Sequence, residues 1–297
     1  MFKVLNVIVG LGEILWDMLP SGKALGGAPA NFAYHAQELG GCSVVVSCVG
    51  NDELGREIIS SLENLDMTSE LLSVDKVHPT GVVSVTINKE MKPSYRIQEE
   101  VAWDYIPETP LLRELASKSE AVCFGTVAQR LHLSRMTIQT FLRLMEHDSI
   151  RVFDINLRQN FYSYEVIKTS LDMANVLKLN VNELSVVKKI LRLKGNEKKI
   201  LNELSRKYSL RLIALTKGIE GSILYSEGKI SQHEGYRVEM GDTVGAGDAF
   251  VAALVTGLLR GYELDDLNNK ANRVASYICS KHGATPSLTN EIRQLFI

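Results

Sequence analysis

The residues best suited to chemistry lie in Gly241-Asp-Thr-Val-Gly-Ala-Gly-Asp-Ala-Phe250. Gly245, Ala246 and Gly247 are small enough to let the backbone turn tightly against a ligand. Asp248 follows them, and Ala249–Leu259 then carries no charge. A helix that is apolar nearly all round is a buried helix. Asp248 is therefore expected at the mouth of one, behind a run of unpaired N–H donors. Such a terminus attracts anions through its donors and its dipole, and the dipole is expected to keep Asp248 ionised. Anion donors beside one carboxylate suit phosphoryl transfer. The donors meet the charge of the transferring group, and the carboxylate takes the proton of the acceptor hydroxyl. An N-cap aspartate in a glycine turn fits the same residues, and the segment by itself leaves both readings open.

More polar residues stand behind short apolar runs. Asp154, Asn156 and Arg158 end or follow Arg151–Asp154; Asn180 and Glu183 follow Val176–Leu179; Thr216 and Lys217 follow Leu212–Leu215. Each could be an ordinary loop residue, but their shared place behind successive runs points to one site. The runs, with Val4–Leu11, Ser43–Cys48 and Ala121–Phe124, read as buried strands. Helices are expected between them: Pro29–Leu39, with Pro29 in its first turn and Gly40 as its stop, then Asp52–Leu65, Ser134–Glu146, Tyr164–Asn175, Asn182–Leu193 and Lys198–Lys207. Strand–helix alternation predicts a doubly wound, mainly parallel α/β sheet that binds ligands beyond the carboxyl ends of its strands.

One stretch breaks the alternation. Val83, Val85 and Ile87 alternate with Ser84, Thr86 and Asn88, and Ser94–Gln98 follows a turn at Lys89–Pro93. Period two predicts a hairpin, read here as a small sheet laid over the α/β body.

Composition removes other classes. The 297 residues are 45% hydrophobic and 23% charged, as in an ordinary globular protein. The net charge of −2 gives no global pull toward nucleic acid or an anionic membrane. Cys42, Cys48, Cys123 and Cys279 form no C-x-x-C pair and no zinc spacing, so reduced thiols are expected. The short apolar start is followed by Glu13 and Asp17, which argues against a leader or a span and for a cytoplasmic protein. G-x-x-x-x-G-K-[ST] is absent. Gly10-Leu-Gly12 begins a dinucleotide fingerprint, but Leu15 fills its third glycine position.

Asp242-Thr-Val-Gly-Ala-Gly-Asp-Ala-Phe250 resembles the C-terminal signature of the ribokinase-like (PfkB-type) carbohydrate kinases. Gly26-Gly-Ala-Pro-Ala-Asn31 with Leu39-Gly40 resembles their N-terminal signature, and Val49-Gly-Asn-Asp52 with Gly55 the segment after it. Asn180-Val-Asn-Glu183 resembles their N-x-x-E motif, and Thr216-Lys-Gly218 with Gly221 their nucleotide strand-turn. The matches run in order from Gly12 to Pro286.

The resemblance implies one α/β kinase domain over residues 1–297, with a β lid from about 14–19 and 82–98. It implies Asp248 as the base, and the amides of Gly245, Ala246 and Gly247 as an anion hole. Asn180 and Glu183 would hold Mg²⁺ through water. ATP would lie against Asn180, Thr216, Gly218 and Gly221, with Asn272 toward the adenine. Backbone near Asp242 and Val244, with the Lys281–Ser287 loop, matches a monovalent-cation (K⁺) site. Asp17, Gly27 and Asn31 would hold the sugar. Arg158 would line the cleft near sugar or phosphate, although a solvated loop arginine fits it equally.

Gly12-Glu13, Asp17 and Asp154-Ile-Asn-Leu-Arg158 look most like the fructokinase branch. Ketodeoxygluconate kinases tend to carry arginine near Glu99, and a glutamate there would repel an acidic sugar. Fructose is thus the expected acceptor, with ribose or 2-keto-3-deoxygluconate as alternatives. The implied partners are the sugar, ATP and a second copy through the lid, with no nucleic acid and no membrane. A sugar-binding regulator on a degenerate kinase fold would have lost Asp248, its glycines or Glu183, and all are present. A phosphatase or aldolase would need an acid cluster or a Schiff-base lysine, and neither is evident.

Overall fold

The computed structural model describes residues 7–19, 22–87, 93–239 and 241–297. Its strands are β1 (Val7–Leu11), β2 (Leu15–Leu19), β3 (Gly22–Gly26), β4 (Cys42–Gly50), β5 (Leu72–Asp75), β6 (Val82–Ile87), β7 (Pro93–Ile97), β8 (Ser119–Phe124), β9 (Ile150–Asp154), β10 (Val176–Asn180), β11 (Leu212–Thr216), β12 (Ser222–Ser226) and β13 (Lys229–His233). Its α-helices are α1 (Ala28–Glu38), α2 (Glu53–Asn64), α3 (Pro110–Lys118), α4 (His132–Leu144), α5 (Tyr164–Met173), α6 (Val181–Ile190), α7 (Glu197–Tyr208), α8 (Ala246–Leu259), α9 (Leu264–Cys279) and α10 (Asn290–Gln294).

The large sheet has the order β13-β12-β11-β10-β9-β8-β1-β4-β5. Every pair from β11 to β5 is parallel, and β12 and β13 add an antiparallel edge that the helix-crossover reading did not anticipate. Strands buried on both faces become apolar runs, and β1 shows why. Val7, Val9 and Leu11 pack in one core with residues of α3 to α7, while Ile8 packs in the other with α1, α8, α9 and α10. A third cluster joins α2 to α1 and β4 through Ile58, Leu62, Ala33 and Val45. Each fully buried aliphatic or phenyl side chain contributes about 1.5–3 kcal/mol.

The smaller sheet has the order β3-β2-β6-β7. The hairpin of β6 and β7 is antiparallel as its period required, and β2 joins it in parallel. β3 is a strand that the sequence reading omitted; it pairs antiparallel with β2 from Leu19↔Gly22 to Leu15↔Gly26. Of the expected turn at Lys89–Pro93, residues 89–92 lie outside the described residues, as do the first residues of the Val4–Leu11 run, while Pro93 already opens β7.

Two polar contacts seat this sheet. Asp52 caps α2 through Gly55 N (2.8 Å) and accepts from the Thr80 amide (2.8 Å) and hydroxyl (2.6 Å) ahead of β6. Arg130 donates to both oxygens of the fully buried Asp104 and to the carbonyl of Gln98, just after β7. Among the described residues no helix is long and apolar enough to cross a membrane.

Candidate active site

The mouth of α8 is built from the glycine turn. Gly245 is its N-cap at φ 76°, a left-handed conformation, and a Cβ there would lie 2.4 Å from the carbonyl oxygen of Ala284. Only glycine meets both demands. The first amides of α8, beginning at Ala246 and Gly247, lack intrahelical acceptors; Ala246 N makes only a long 3.4 Å contact to Thr243 O. Asp248 stands in this first turn, half-buried.

Asn31, in the first turns of α1, donates from Nδ2 to Asp248 Oδ2 at 2.8 Å. The two signatures, 217 residues apart, therefore meet side chain to side chain. Asn31 is buried and its Oδ1 has no partner. Gly27 caps α1 beside the Glu13 carbonyl, which a Cβ would approach to 2.4 Å. Asp17 lies on β2, paired with Ala24 and Val83. Arg158 is exposed, and its charge reaches Asp17, Glu13 and Asp248. The structure thus gathers Asp17, Gly27, Asn31, Arg158 and Asp248 into one cluster.

Burial pushes the Asp248 carboxyl up, against the opposing pull of Asn31, Lys178 and Arg158. Burial also raises Asp17, with Arg158 opposing.

Two charged groups here had no assigned role. Lys178, on β10, sits under the turn: a Cβ on Gly247 would lie 3.1 Å from its Nζ. It donates to Asp154 Oδ1 at 3.0 Å and Oδ2 at 3.1 Å. Burial works against its ammonium, but the carboxylates of Asp154, Glu183 and Asp248 hold it well above the ordinary lysine range. A lysine inside the apolar run Val-Leu-Lys-Leu was the available signal. Glu13 is the second, buried in the β1–β2 turn with its Oε2 unpartnered.

The remaining candidates stand along β10 to β12. Asn180 and Glu183 form a capping box for α6: Asn180 Oδ1 accepts from Asn182 N (2.9 Å) and Glu183 N (3.0 Å), and Glu183 Oε2 accepts from Asn180 N (2.8 Å). Glu183 Oε1 also accepts from Leu157 N at 3.1 Å. Both carboxylate oxygens are thus engaged, and among the described residues no cluster of three His, Cys, Asp or Glu forms a metal cage. This donor set fits Mg²⁺ held through its water shell. Thr216 ends β11 beside Asn180 and Ser222. Gly218 is exposed with open space above it, and Gly221 is buried against His233.

Asn272 is not brought to an open surface. Its Nδ2 donates to Ser222 Oγ (2.7 Å) and Asn268 O (2.8 Å), which ties α9 to β12. Asp242 Oδ1 accepts from Val244 N at 3.1 Å, and their loop lies against Lys281 and Ala284. A cavity of about 620 Å³ is lined by Glu99, Arg130, Arg135, Phe161 and Tyr162 among others; Asp17, Asn31 and Asp248 are not in its lining.

The model of the pfkB family carbohydrate kinases matches residues 21–291. This chain belongs to that family. It is a sugar kinase of ribokinase-like fold. It is 30% identical to a sugar kinase of Pyrococcus horikoshii over 302 residues, covering 95% of this chain and 92% of the relative. It is 31% identical to a fructokinase of Escherichia coli over 264 residues, covering 84% and 83%. The crystal structure of an uncharacterized sugar kinase from P. horikoshii superposes with a TM-score of 0.83 at 26% identity, over 98% of this chain and all of that one. A fructokinase of Xylella fastidiosa with bound ATP shares the fold, with a TM-score of 0.84 at 19% identity over 98% of each chain.

Proposed function

We propose that this pfkB family kinase transfers the γ-phosphate of ATP to a primary hydroxyl of a small neutral sugar, with fructose as the acceptor. The 2.8 Å contact between Asn31 and Asp248 carries the reading, because it seats the acceptor signature on the proposed base. Asp17, Gly27 and Asn31 hold the sugar, and Arg158 lines its edge. Asp248 orients the hydroxyl and takes its proton while the new O–P bond forms and the bond to ADP breaks. Its raised pKa makes it a better proton acceptor than an exposed aspartate. The amides of Gly245, Ala246 and Gly247 face the transferring charge, with the Lys178 ammonium beneath them.

ATP lies along Asn180, Thr216, Gly218 and Gly221, with its adenine toward α9. Asn180 and Glu183 would orient the water shell of a magnesium ion, which would supply charge neutralisation to the phosphates. The Asp242–Val244 backbone and the loop after α9 would hold a monovalent cation. The reading takes the chain as one kinase domain, cytoplasmic, with the small sheet as lid. Among relatives, the fructokinase names support fructose, as does a crystal structure of a Vibrio cholerae fructokinase with fructose, ADP and calcium, which shares the fold.

A coupled ADP-release screen over fructose, ribose, mannose, glucose, tagatose, 2-keto-3-deoxygluconate and nucleosides tests the assignment. Fructose is expected to give the highest kcat/KM. Preference for 2-keto-3-deoxygluconate would overturn the part given to Glu99, and turnover of none would favour a sugar-binding regulator.

A further inference from the structure

Glu13 has no task in that mechanism, yet it sits in the floor of the same cleft. It occupies the turn between β1 and β2, is 3% exposed, and leaves Oε2 without a hydrogen-bond partner. Asp248 faces it from α8, Asp154 from the end of β9, and Arg158 from the following loop. The Cys123 thiol faces it from β8. Burial pushes the Glu13 carboxyl up to about 7, helped by Asp248 and Asp154 and opposed by a backbone hydrogen bond and Arg158. Asp154 is matched by Lys178 at 3.0 Å, whereas among the described residues no cation is ion-paired with Glu13. Ionising Glu13 therefore adds an unmatched charge where water screens it poorly.

We propose that Glu13 works as a neutral carboxylic acid, a positioning residue whose ionisation puts a second anion beside Asp248 and weakens capture of the donor's phosphates at the mouth of α8. The inference rests on the kinase reading of the cleft. Neutral Glu13 leaves Asp248 as the anion that meets the acceptor, and its O–H is a donor in a floor otherwise rich in acceptors. Arriving phosphates reinforce the effect, because their charge favours the protonated acid. By linkage the two equilibria must shift each other equally.

Glu13→Gln is a permanently neutral near-isostere. Calorimetry should compare magnesium–ATP binding by this variant and the wild type from pH 5.5 to 8.5 at fixed ionic strength. The ratio of wild-type to variant dissociation constants should rise about tenfold between pH 6 and pH 8, as one ionisation coupled to anion binding produces. A ratio flat with pH would overturn the proposal.

A second measurement needs no variant. Carbon-13 NMR of the glutamate carboxyls should show one midpoint near 7, moving upward when magnesium–ATP binds. A midpoint that stays put, or lies below 5, would overturn the proposal even if the variant fails to fold. Absence of any magnesium–ATP binding would sink this inference and the kinase reading together. Sugar phosphorylation with an unmoved Glu13 midpoint would sink this inference alone.

Discussion

At the residue scale, Asp248 and Asn31 separate catalysis from capping. Asp248 makes no side-chain cap to its own helix, whose N-cap is Gly245. Its side-chain partner is Asn31. Asparagine at this position keeps the shape and an acceptor for Asn31 but cannot take a proton. Asp248→Asn should therefore lower kcat by about 10²–10⁴-fold, with the melting temperature and sugar affinity near those of the parent. Near-normal kcat in the folded variant would remove Asp248 from the mechanism. Asp17 is expected to act on the other substrate. Asp17→Ala should raise KM for the sugar by the equivalent of about 1.5–3 kcal/mol and leave KM for ATP nearly unchanged. Equal effects on both would make Asp17 a structural residue of β2.

At the element scale, the N-x-x-E motif does local work before any ligand arrives. Asn180 and Glu183 exchange hydrogen bonds across the start of α6. Asn180→Ala should therefore cost about 0.5–2 kcal/mol of stability, read from urea unfolding. Glu183→Gln retains one side-chain acceptor and loses the charge, so it should raise the Mg²⁺ concentration needed for half-maximal rate. An unchanged magnesium dependence, or full turnover in excess chelator, would leave the motif purely a cap. The small sheet has its own anchor. Asp104 accepts two bonds from Arg130, whose guanidinium also lies 4.1 Å from the Trp103 ring centroid. Removing one partner strands a buried charge, so Asp104→Ala should destabilise by about 3–5 kcal/mol. A loss under 1 kcal/mol would show the pair to be well solvated.

At the scale of the whole molecule, the nine-stranded sheet sets the distances between sites. β1 lies inside it, between β4 and β8, and Asn31, in the helix that follows the β2–β3 pair, meets Asp248 at the α8 mouth. The residues proposed to hold the nucleotide, on β10 to β12, lie further along the same sheet. Each strand step is about 4.8 Å, which suits a donor and an acceptor laid end to end. The four-stranded sheet proposed as lid leaves Met18 and Leu19 exposed at 41% and 38%. Pairing of two lids would cover them, and a homodimer is the expected state. Sedimentation equilibrium at micromolar concentration should give twice the chain mass, and a monomer there would exclude the lid as a dimer surface.

The amino-acid sequence by itself determined the strand–helix alternation, the β6–β7 hairpin and the glycine turn before Asp248. These are local: period, small residues and charge-free runs act over a few neighbours. It also carried the family, because two long signatures stand in order along one chain. The antiparallel edge and β3 were not legible, since short polar strands such as Lys229–His233 and Gly22–Gly26 owe their form to a neighbouring strand and not to their own pattern. Tertiary structure alone decided that Asn31 meets Asp248, that Lys178 lies under Gly247, and that Asn272 is held in a buried network. It also decided the burial that pushes the Asp248 carboxyl up. A helix terminus can be read from sequence, but desolvation depends on how many distant segments close around the carboxyl.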